Sequence, residues 1–306
     1  MPPPGGRPSP VSARIDLNHK IHVLTKKEEL DTVRVGGKVV VVLDILFATT
    51  TMVTALAHGA TEVVPVLDEA AARAQAGEFP ENSFVLAGEL YAQTLPGFAH
   101  PAPLALLEHG VAGKTLVYST TNGTVAMTQA AGASRVYCGA LLNARALVGH
   151  IVARHPRETV LIVCAGSGNN FNFEDFYGAG CFVERFAERL GASADFSDAA
   201  RAARTVYREA RAPQALLECR VGRMMVERGL QHEVEFALRH GSPLGARLEP
   251  AAPAGKPLAA CSDGFHNRPT ASNSGRRHED ASRGRLRRRP AADHRDGRAR
   301  GSPRGR

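Results

Sequence analysis

Short apolar runs alternate with amphipathic stretches from about residue 21 to residue 238. Runs rich in β-branched residues predict strands at 38–44, 62–66, 83–87, 114–119, 135–138 and 159–164. Apolar residues at helical spacing predict helices near 49–58, 68–77, 123–131, 143–154, 174–190, 195–208 and 219–229. Continuously apolar strands separated by helices are typical of a parallel sheet covered on both faces. The pattern therefore predicts a layered α/β fold, with a largely parallel sheet flanked by helices, in one domain over residues 14–249.

Three segments share one plan, in which a strand is followed by a polar turn and then by a helix. The turns read DILFATTT (44–51), STTNGT (119–124) and AGSGNNFNFED (165–175). On a single parallel sheet, all three turns would lie at the carboxyl ends of strands, where open α/β sheets bind ligands. We therefore expect the three turns to meet at one site.

The hydroxyl and amide groups of these turns suit a bound anion. Such groups beside the free N–H groups of a helix N-terminus form a phosphate site. The residues expected to hold the phosphate are Thr49, Thr50, Thr120, Thr121, Asn122 and Gly123. The alternative is that these residues are ordinary helix N-caps.

Four carboxylates follow strands or open helices, so they could reach the same edge of the sheet. They are Asp44, Glu89 in LAGEL, and the adjacent pair Glu174 and Asp175. Convergent carboxylates beside an anion site favour Mg²⁺, so all four are candidate metal ligands, and Asp44, Glu89 and Asp175 are candidate catalytic groups. The alternatives are a turn-forming role for Asp44 and stabilisation of a helix dipole for Glu174 and Asp175.

Several familiar nucleotide and phosphate chemistries are excluded. A cysteine phosphatase loop starting at Cys164 would need an arginine where Asn170 stands, and a phosphoaspartyl enzyme would need an aspartate where Leu46 stands. The chain has no GxxxxGK[ST] loop, and the glycines at 166 and 168 lack the third glycine of a dinucleotide fingerprint.

Charge and composition add little evidence for other partners. The net charge is +8, and residues 276–306 account for all of it with twelve arginines and four acids. The body therefore gives no reason to expect nucleic acid as a partner. No apolar run approaches the ~18 residues of a membrane span, and the five scattered cysteines predict free thiols in a cytoplasmic protein.

Both ends of the chain read as disordered segments. Residues 1–13 form a Pro- and Gly-rich lead-in, and residues 250–306 form an Arg-rich tail that is almost without aliphatic residues. The tail is open to three interpretations: a polyanion-binding arm, a segment without function, or the product of a shifted reading frame.

Five segments, taken in order, resemble the 2-phosphosulfolactate phosphatase (ComB) family. They are VVVLDILFATTTMVTALAHGA, LAGEL, STTNGT, GALLNA and CAGSGNNFNFEDFYGAG, and the late segment VGRMMVERGLQHEVEFAL also matches. The resemblance covers roughly residues 21–238. It implies a Mg²⁺-dependent hydrolase that converts 2-phosphosulfolactate to sulfolactate and phosphate, which is a step of coenzyme M biosynthesis. It also implies a possible homodimer and adds Asn143, in GALLNA, to the phosphate-binding residues.

The chain departs from the family pattern at two places. Phe47 stands where the family usually has an arginine, and Ala99 stands where it usually has an acid, in a loop that here reads GFAHPAP. Phenylalanine cannot replace a guanidinium as an anion partner. Either the substrate differs, or another cation such as Arg145 substitutes, or the chain is an inactive small-anion-binding protein. His100 in the altered loop is expected to be a surface residue rather than an acid catalyst.

Overall fold

The computed structural model describes residues 20–241 and 251–252. The predicted lead-in, residues 1–13, lies outside the described residues, and so does the predicted tail, residues 250–306, apart from 251–252. No helix within the described ranges is long and apolar enough to cross a membrane.

The strands follow the sequence prediction closely, with four additions. They are β1 (Lys20–Leu24), β2 (Val39–Leu43), β3 (Glu62–Val66), β4 (Phe84–Leu90), β5 (Gln93–Thr94), β6 (Thr115–Ser119), β7 (Arg135–Gly139), β8 (Val160–Cys164), β9 (Asp195–Phe196) and β10 (Ala251–Ala252). The sequence pattern did not predict β1, β5, β9 or β10. Of these, β1 matters most for the site, because it ends beside the turns described above.

The helices include all seven that the periodicity predicts. They are α1 (Ala48–Ala57), α2 (Glu69–Ala76), α3 (Pro103–His109), α4 (Gly123–Gln129), α5 (Ala144–Arg154), α6 (Phe173–Leu190), α7 (Asp198–Glu209), α8 (Gln214–Glu218), α9 (Arg220–Glu227) and α10 (Gln231–Ala237). The helices α3, α8 and α10 were not predicted, because each has seven residues or fewer and so shows little periodicity.

The strands form two sheets, which corrects the expectation of a single sheet. The first has the order β10-β7-β2-β8-β1-β9, and its strands are parallel except for β10. The second has the order β3-β6-β4-β5 and is parallel except for the β4–β5 hairpin. The layered, largely parallel α/β architecture is confirmed, but the strand before STTNGT belongs to the second sheet.

The first two of the three segments that share the strand, polar turn and helix plan cross between the sheets in opposite directions. The chain leaves β2 in the first sheet, passes through α1 and enters β3 in the second; it later leaves β6 in the second sheet and passes through α4 to β7 in the first. The periodicity of the sequence does not reveal this crossing, because the crossing depends on which strands form hydrogen bonds with each other.

The central strand β2 is buried on both faces. Its side chains alternate between two cores, with Val39, Val41 and Leu43 facing the α6 side and Val40 and Val42 facing the second sheet. Each buried valine or leucine side chain contributes about 1.5–3 kcal/mol. The strand is therefore a rigid support for the turn that follows it.

Candidate active site

A cavity of ≈ 560 Å³ opens at the carboxyl ends of strands from both sheets. The turns after β1, β2, β4, β6 and β8 contribute polar residues to it, and α9 closes one side. The polar and charged residues that line it are Lys27, Glu28, Asp44, Glu89, Thr94, His100, Thr120, Thr121, Asn122, Ser167, Asn170, Asn172 and Arg220. The three predicted turns therefore do meet at one site, although they come from two sheets.

The threonines after Asp44 hold the turn together instead of facing the cavity. The Thr49 hydroxyl donates to the Asp44 carbonyl at 2.9 Å and accepts from the Asp44 N–H at 2.9 Å. The Thr50 hydroxyl donates to the carbonyl of Ile45 at 2.9 Å. Both side chains are 0% exposed and neither lines the cavity. In this structure the hydroxyls of Thr49 and Thr50 therefore do not point into the cavity, and their contact with phosphate stays a prediction.

Asp44 lies at the cavity surface, half-buried, at the end of β2. Burial raises the pKa of its carboxyl well above the usual range, and the negative charges of Asp175 and Glu89 raise it further. The Lys27 ammonium acts in the opposite direction. The ionised form of Asp44 is therefore short of positive charge, and an added cation would stabilise it.

Glu89 also lines the cavity and holds the STTNGT turn. Its Oε1 accepts from the N–H of Thr121 at 2.6 Å, and its Oε2 accepts from the Thr121 hydroxyl at 3.0 Å. Oε2 further accepts from the N–H of Ala92 at 2.5 Å, in the β4–β5 hairpin. The carboxylate thus fixes two backbone segments at the rim of the cavity.

The start of α4 packs directly against the Asp44 turn. The Thr120 hydroxyl, which lies at the cavity, accepts from the N–H of Thr124 at 3.1 Å and so caps the helix. An added Cβ on Gly123 would overlap the Cβ of Ala48 and lie 2.8 Å from Oδ2 of Asp44. Gly123 is not among the residues that line the cavity, and the absence of a side chain at this position permits the close contact between the two turns.

Lys27 is a buried cation that the sequence analysis missed. Its ammonium donates to Oδ1 of Asn122 at 3.0 Å and to the carbonyl of Ala165 at 3.2 Å, and it lies 3.1 Å from Oε1 of Glu28. The residue is 7% exposed. Lys27 therefore joins the turns after β1, β6 and β8 and brings a positive charge to the cavity. The sequence feature that could have identified Lys27 is the short apolar run IHVL, which precedes two lysines. A search for longer strands overlooks such a run.

Glu174 and Asp175 lie behind the cavity and do not line it. Asp175 is 1% exposed, and its two oxygens accept from the N–H groups of Ile45 at 2.9 Å and Gly166 at 3.1 Å. Glu174 is 2% exposed and accepts from the thiol of Cys219 at 3.3 Å, and burial raises its pKa to about 7. Burial likewise raises the pKa of Asp175.

The four predicted carboxylates do not form one cluster. Within the described residues, no three or more His, Cys, Asp or Glu side chains are grouped as metal ligands. The structure brings Asp44 and Glu89 to the cavity and uses Asp175 to tie two turns together.

Asn143 also supports a turn. Its Oδ1 accepts from the N–H of Ala140 at 2.9 Å, and its Nδ2 donates to the carbonyl of Cys138 at 3.1 Å. The residue is 0% exposed and does not line the cavity.

The second cation at the cavity is Arg220, from the start of α9. Its Nη2 donates to the hydroxyl of Ser167 and, at 2.6 Å, to Oδ1 of Asn172. Arg145, the substitute suggested by the sequence, is exposed and is not among the cavity residues. Phe47, by contrast, does line the cavity and is 9% exposed.

His100 is half-buried and lines the cavity, so its expected position at the surface is the surface of this cavity. Its Nδ1 is 3.2 Å from the N–H of Ala102 and accepts from it, so in the neutral ring the proton lies on Nε2. The ring is therefore held in one orientation beside the cavity.

Comparison with known proteins identifies the family. The family model described as 2-phosphosulpholactate phosphatase matches residues 24–242. The chain belongs to the 2-phosphosulfolactate phosphatase family. It is accordingly a phosphoric monoester hydrolase, and the segments that resembled the family lie almost entirely within the matched range.

Individual relatives agree with this assignment. A probable 2-phosphosulfolactate phosphatase of Symbiobacterium thermophilum is 39% identical over 210 residues, covering 68% of this chain and 89% of the relative. Proteins of the same name from Deinococcus radiodurans and Clostridium beijerinckii are 38% and 31% identical. The match to the Deinococcus protein covers 65% of this chain and 82% of that relative. The match to the Clostridium protein covers 62% of this chain and 79% of that relative.

Proposed function

We propose that this member of the 2-phosphosulfolactate phosphatase family is a Mg²⁺-dependent phosphatase of small phosphorylated hydroxy acids. The reaction is hydrolysis of 2-phosphosulfolactate, or of a related ester, to the free hydroxy acid and phosphate. One observation carries the proposal: Asp44 and Glu89 share a cavity with the cations Lys27 and Arg220. A cytoplasmic location, a homodimer and a role in coenzyme M biosynthesis belong to the same proposal and rest on family resemblance.

The chemistry of the cavity residues fits Mg²⁺. The charged lining comprises three acids, Glu28, Asp44 and Glu89, against the two cations Lys27 and Arg220. Such a lining repels a phosphate ester unless a further positive charge is present. Mg²⁺ is typically held by one or two carboxylates, with substrate phosphate and water completing its coordination. Asp44 and Glu89 would hold it, and when bound it would neutralise charge on the phosphate in the transition state.

The cations and the STTNGT turn would hold the phosphorylated acid. Lys27 uses its donors on Asn122, Ala165 and Glu28, so it contributes charge and fixes Asn122. The Nε and Nη1 groups of Arg220 have no hydrogen-bond partner among the described residues, so they can donate to an anionic group of the substrate. Thr120, Thr121 and Asn122 supply further polar contacts at the cavity surface.

The proposal includes a role for His100 in the departure of the alcohol. Hydrolysis breaks the P–O ester bond, adds water at phosphorus and leaves an alkoxide that needs a proton. The attacking water supplies that proton, and the Nε2–H of the neutral His100 ring can donate a hydrogen bond that stabilises negative charge on the leaving oxygen, because Nδ1 accepts from Ala102. His100→Gln should slow alkyl phosphates more than an aryl phosphate with a stable leaving group. Equal slowing of both would show that His100 does not stabilise the leaving oxygen.

Phosphate release is the direct test. The full chain is assayed with 2-phosphosulfolactate and other phosphorylated hydroxy acids, with Mg²⁺ and then with excess EDTA. Release that stops with EDTA and returns with Mg²⁺ supports the proposal. Binding of sulfolactate or phosphate without release from any ester would instead favour the inactive anion-binding protein that Phe47 and Ala99 suggest.

A further inference from the structure

The cavity has an apolar wall as well as its charged residues. The wall consists of Phe47, Val221, Met224, Met225 and Leu230. Four of these residues come from α9 and the turn that follows it. The cavity volume, ≈ 560 Å³, lies within the range of roughly 300–1,000 Å³ that is typical of pockets for larger organic ligands. Phe47, Val221 and Met225 are largely buried in the core, so a three-carbon acid with only polar groups would leave the exposed parts of the half-buried Met224 and Leu230 in contact with water.

The apolar wall is anchored at both ends. Arg220, at the start of α9, bonds to Ser167 and Asn172, and Arg228, just after α9, donates to the carbonyl of Ala92. The next helix, α10, is fixed by Glu233, which is 0% exposed. Its two oxygens accept from the first N–H groups of α3 at 2.8 Å each. The wall is therefore preformed, and a ligand would not have to order it.

Beside the apolar wall, the described cavity residues include no further cation that could bind an anionic substituent of a ligand. Arg220 and Lys27 are the cations among the described cavity residues, and both are bonded to the polar turns. In the proposed complex, the charge of Lys27 and the metal would stabilise the phosphate, and a carboxylate would take the remaining donors of Arg220. A sulfonate placed against Phe47 and the methionines would lose water without gaining a partner, which is strongly unfavourable.

We infer that the preferred substrate is a 2-phosphorylated hydroxy acid whose side chain is apolar, such as an aromatic or branched aliphatic group. This inference rests on the proposed function and narrows it. The phosphate lies at the Asp44 end, the carboxylate is bound by Arg220, and the side chain packs on the apolar wall. Burial of such a side chain discriminates by about 10- to 200-fold in kcat/KM.

The test compares esters that differ only in the group on carbon 3. The full chain is assayed with the 2-phospho derivatives of 3-phenyllactate and 2-hydroxy-4-methylpentanoate, and with 2-phosphosulfolactate. We expect kcat/KM for at least one apolar ester to exceed that for phosphosulfolactate by about tenfold or more. Phe47→Arg should reverse this preference. Met224→Gln, a change of similar size at a half-buried position, should reduce it while the protein remains folded.

Each outcome decides the inference. A wild-type preference for phosphosulfolactate, or equal rates for all three esters, overturns it. If no ester is hydrolysed, the proposed function fails, and calorimetric titration with phenyllactate and sulfolactate in the presence of phosphate then decides. Tighter binding of phenyllactate would keep the inference, and equal or tighter binding of sulfolactate, or no binding of either acid, would overturn it.

Discussion

Asp44 and the threonines that follow it have separate tasks. Asp44 faces the cavity, whereas the hydroxyls of Thr49 and Thr50 bond to the backbone of the same turn. The sequence predicted that hydroxyls and acids would gather here, because polar turns followed apolar strands. It could not show which way each hydroxyl points, since a threonine at a helix start serves equally well as a ligand or as a cap.

Removing the buried cation should weaken anion binding. Lys27→Met keeps most of the side chain but deletes the positive charge at the cavity, so inhibition by inorganic phosphate should weaken about tenfold, the scale of a Coulomb attraction between partly buried charges several ångströms apart. Inhibition constants and thermal unfolding are measured together, because Lys27 also ties three turns. Lys26→Met is the matched control, since Lys26 bonds to Asn169 and does not line the cavity. Unchanged phosphate inhibition in the Lys27 variant would contradict this role.

The substitution Gly123→Ala, which adds a methyl group, should destabilise the protein. Its Cβ would overlap Ala48 and press on Asp44, and overpacking of this kind costs about 1–3 kcal/mol. Denaturant unfolding measures the cost. Gly149→Ala in α5 is the control, because the new Cβ would meet only the flexible end of Arg189, at 3.2 Å. Equal stability of the two variants would show that α1 and α4 are not in close contact.

At the level of elements, strongly patterned segments were predictable and weakly patterned ones were not, whatever their length. The strand predicted at 62–66 and the helix predicted at 174–190 agree with the structure to within one residue. The five-residue strand β1 and the seven-residue helix α3 were missed. Because β1 precedes Lys27, missing the strand also meant missing the cation.

The pairing of α6 with α7 predicts a pH dependence of stability. Hydrogen bonds from Arg208 and Arg204 lower the pKa of Glu184 from 4.5 to about 2. The ionised form is therefore favoured in the folded state, and this stabilisation is present above pH 4.5 and is lost as the pH falls towards about 2.

Glu184→Gln should remove this dependence. At neutral pH the variant should melt about 2 °C below the wild type, a small change because the partners are partly exposed to water. The difference should shrink between pH 4.5 and about pH 2. Thermal unfolding across this range is the measurement, and a difference that stays constant would show that the ion pairs do not stabilise the fold.

At the scale of the whole molecule, the site depends on two sheets that the sequence did not distinguish. Residues far apart in sequence close the cavity, as in the bond from Lys27 to Asn122 and that from Arg228 to Ala92. Periodicity reports whether a segment is a strand, but not which strand it pairs with. The fold class and Asp44 were therefore predictable, whereas Lys27, Arg220 and the apolar wall were not.

The central claim is that phosphate hydrolysis takes place at Asp44 and not at the acids behind it. The most direct measurement compares Mg²⁺-dependent kcat/KM for Asp44→Asn and Glu174→Gln, each shown to be folded by circular dichroism. Both changes replace a carboxylate with an amide of nearly the same shape, but only Asp44 lines the cavity.

We expect Asp44→Asn to lower kcat/KM by more than about a hundredfold and Glu174→Gln to change it by less than about threefold. Near-normal activity of the Asp44 variant, or a larger loss in the Glu174 variant, would contradict the central claim.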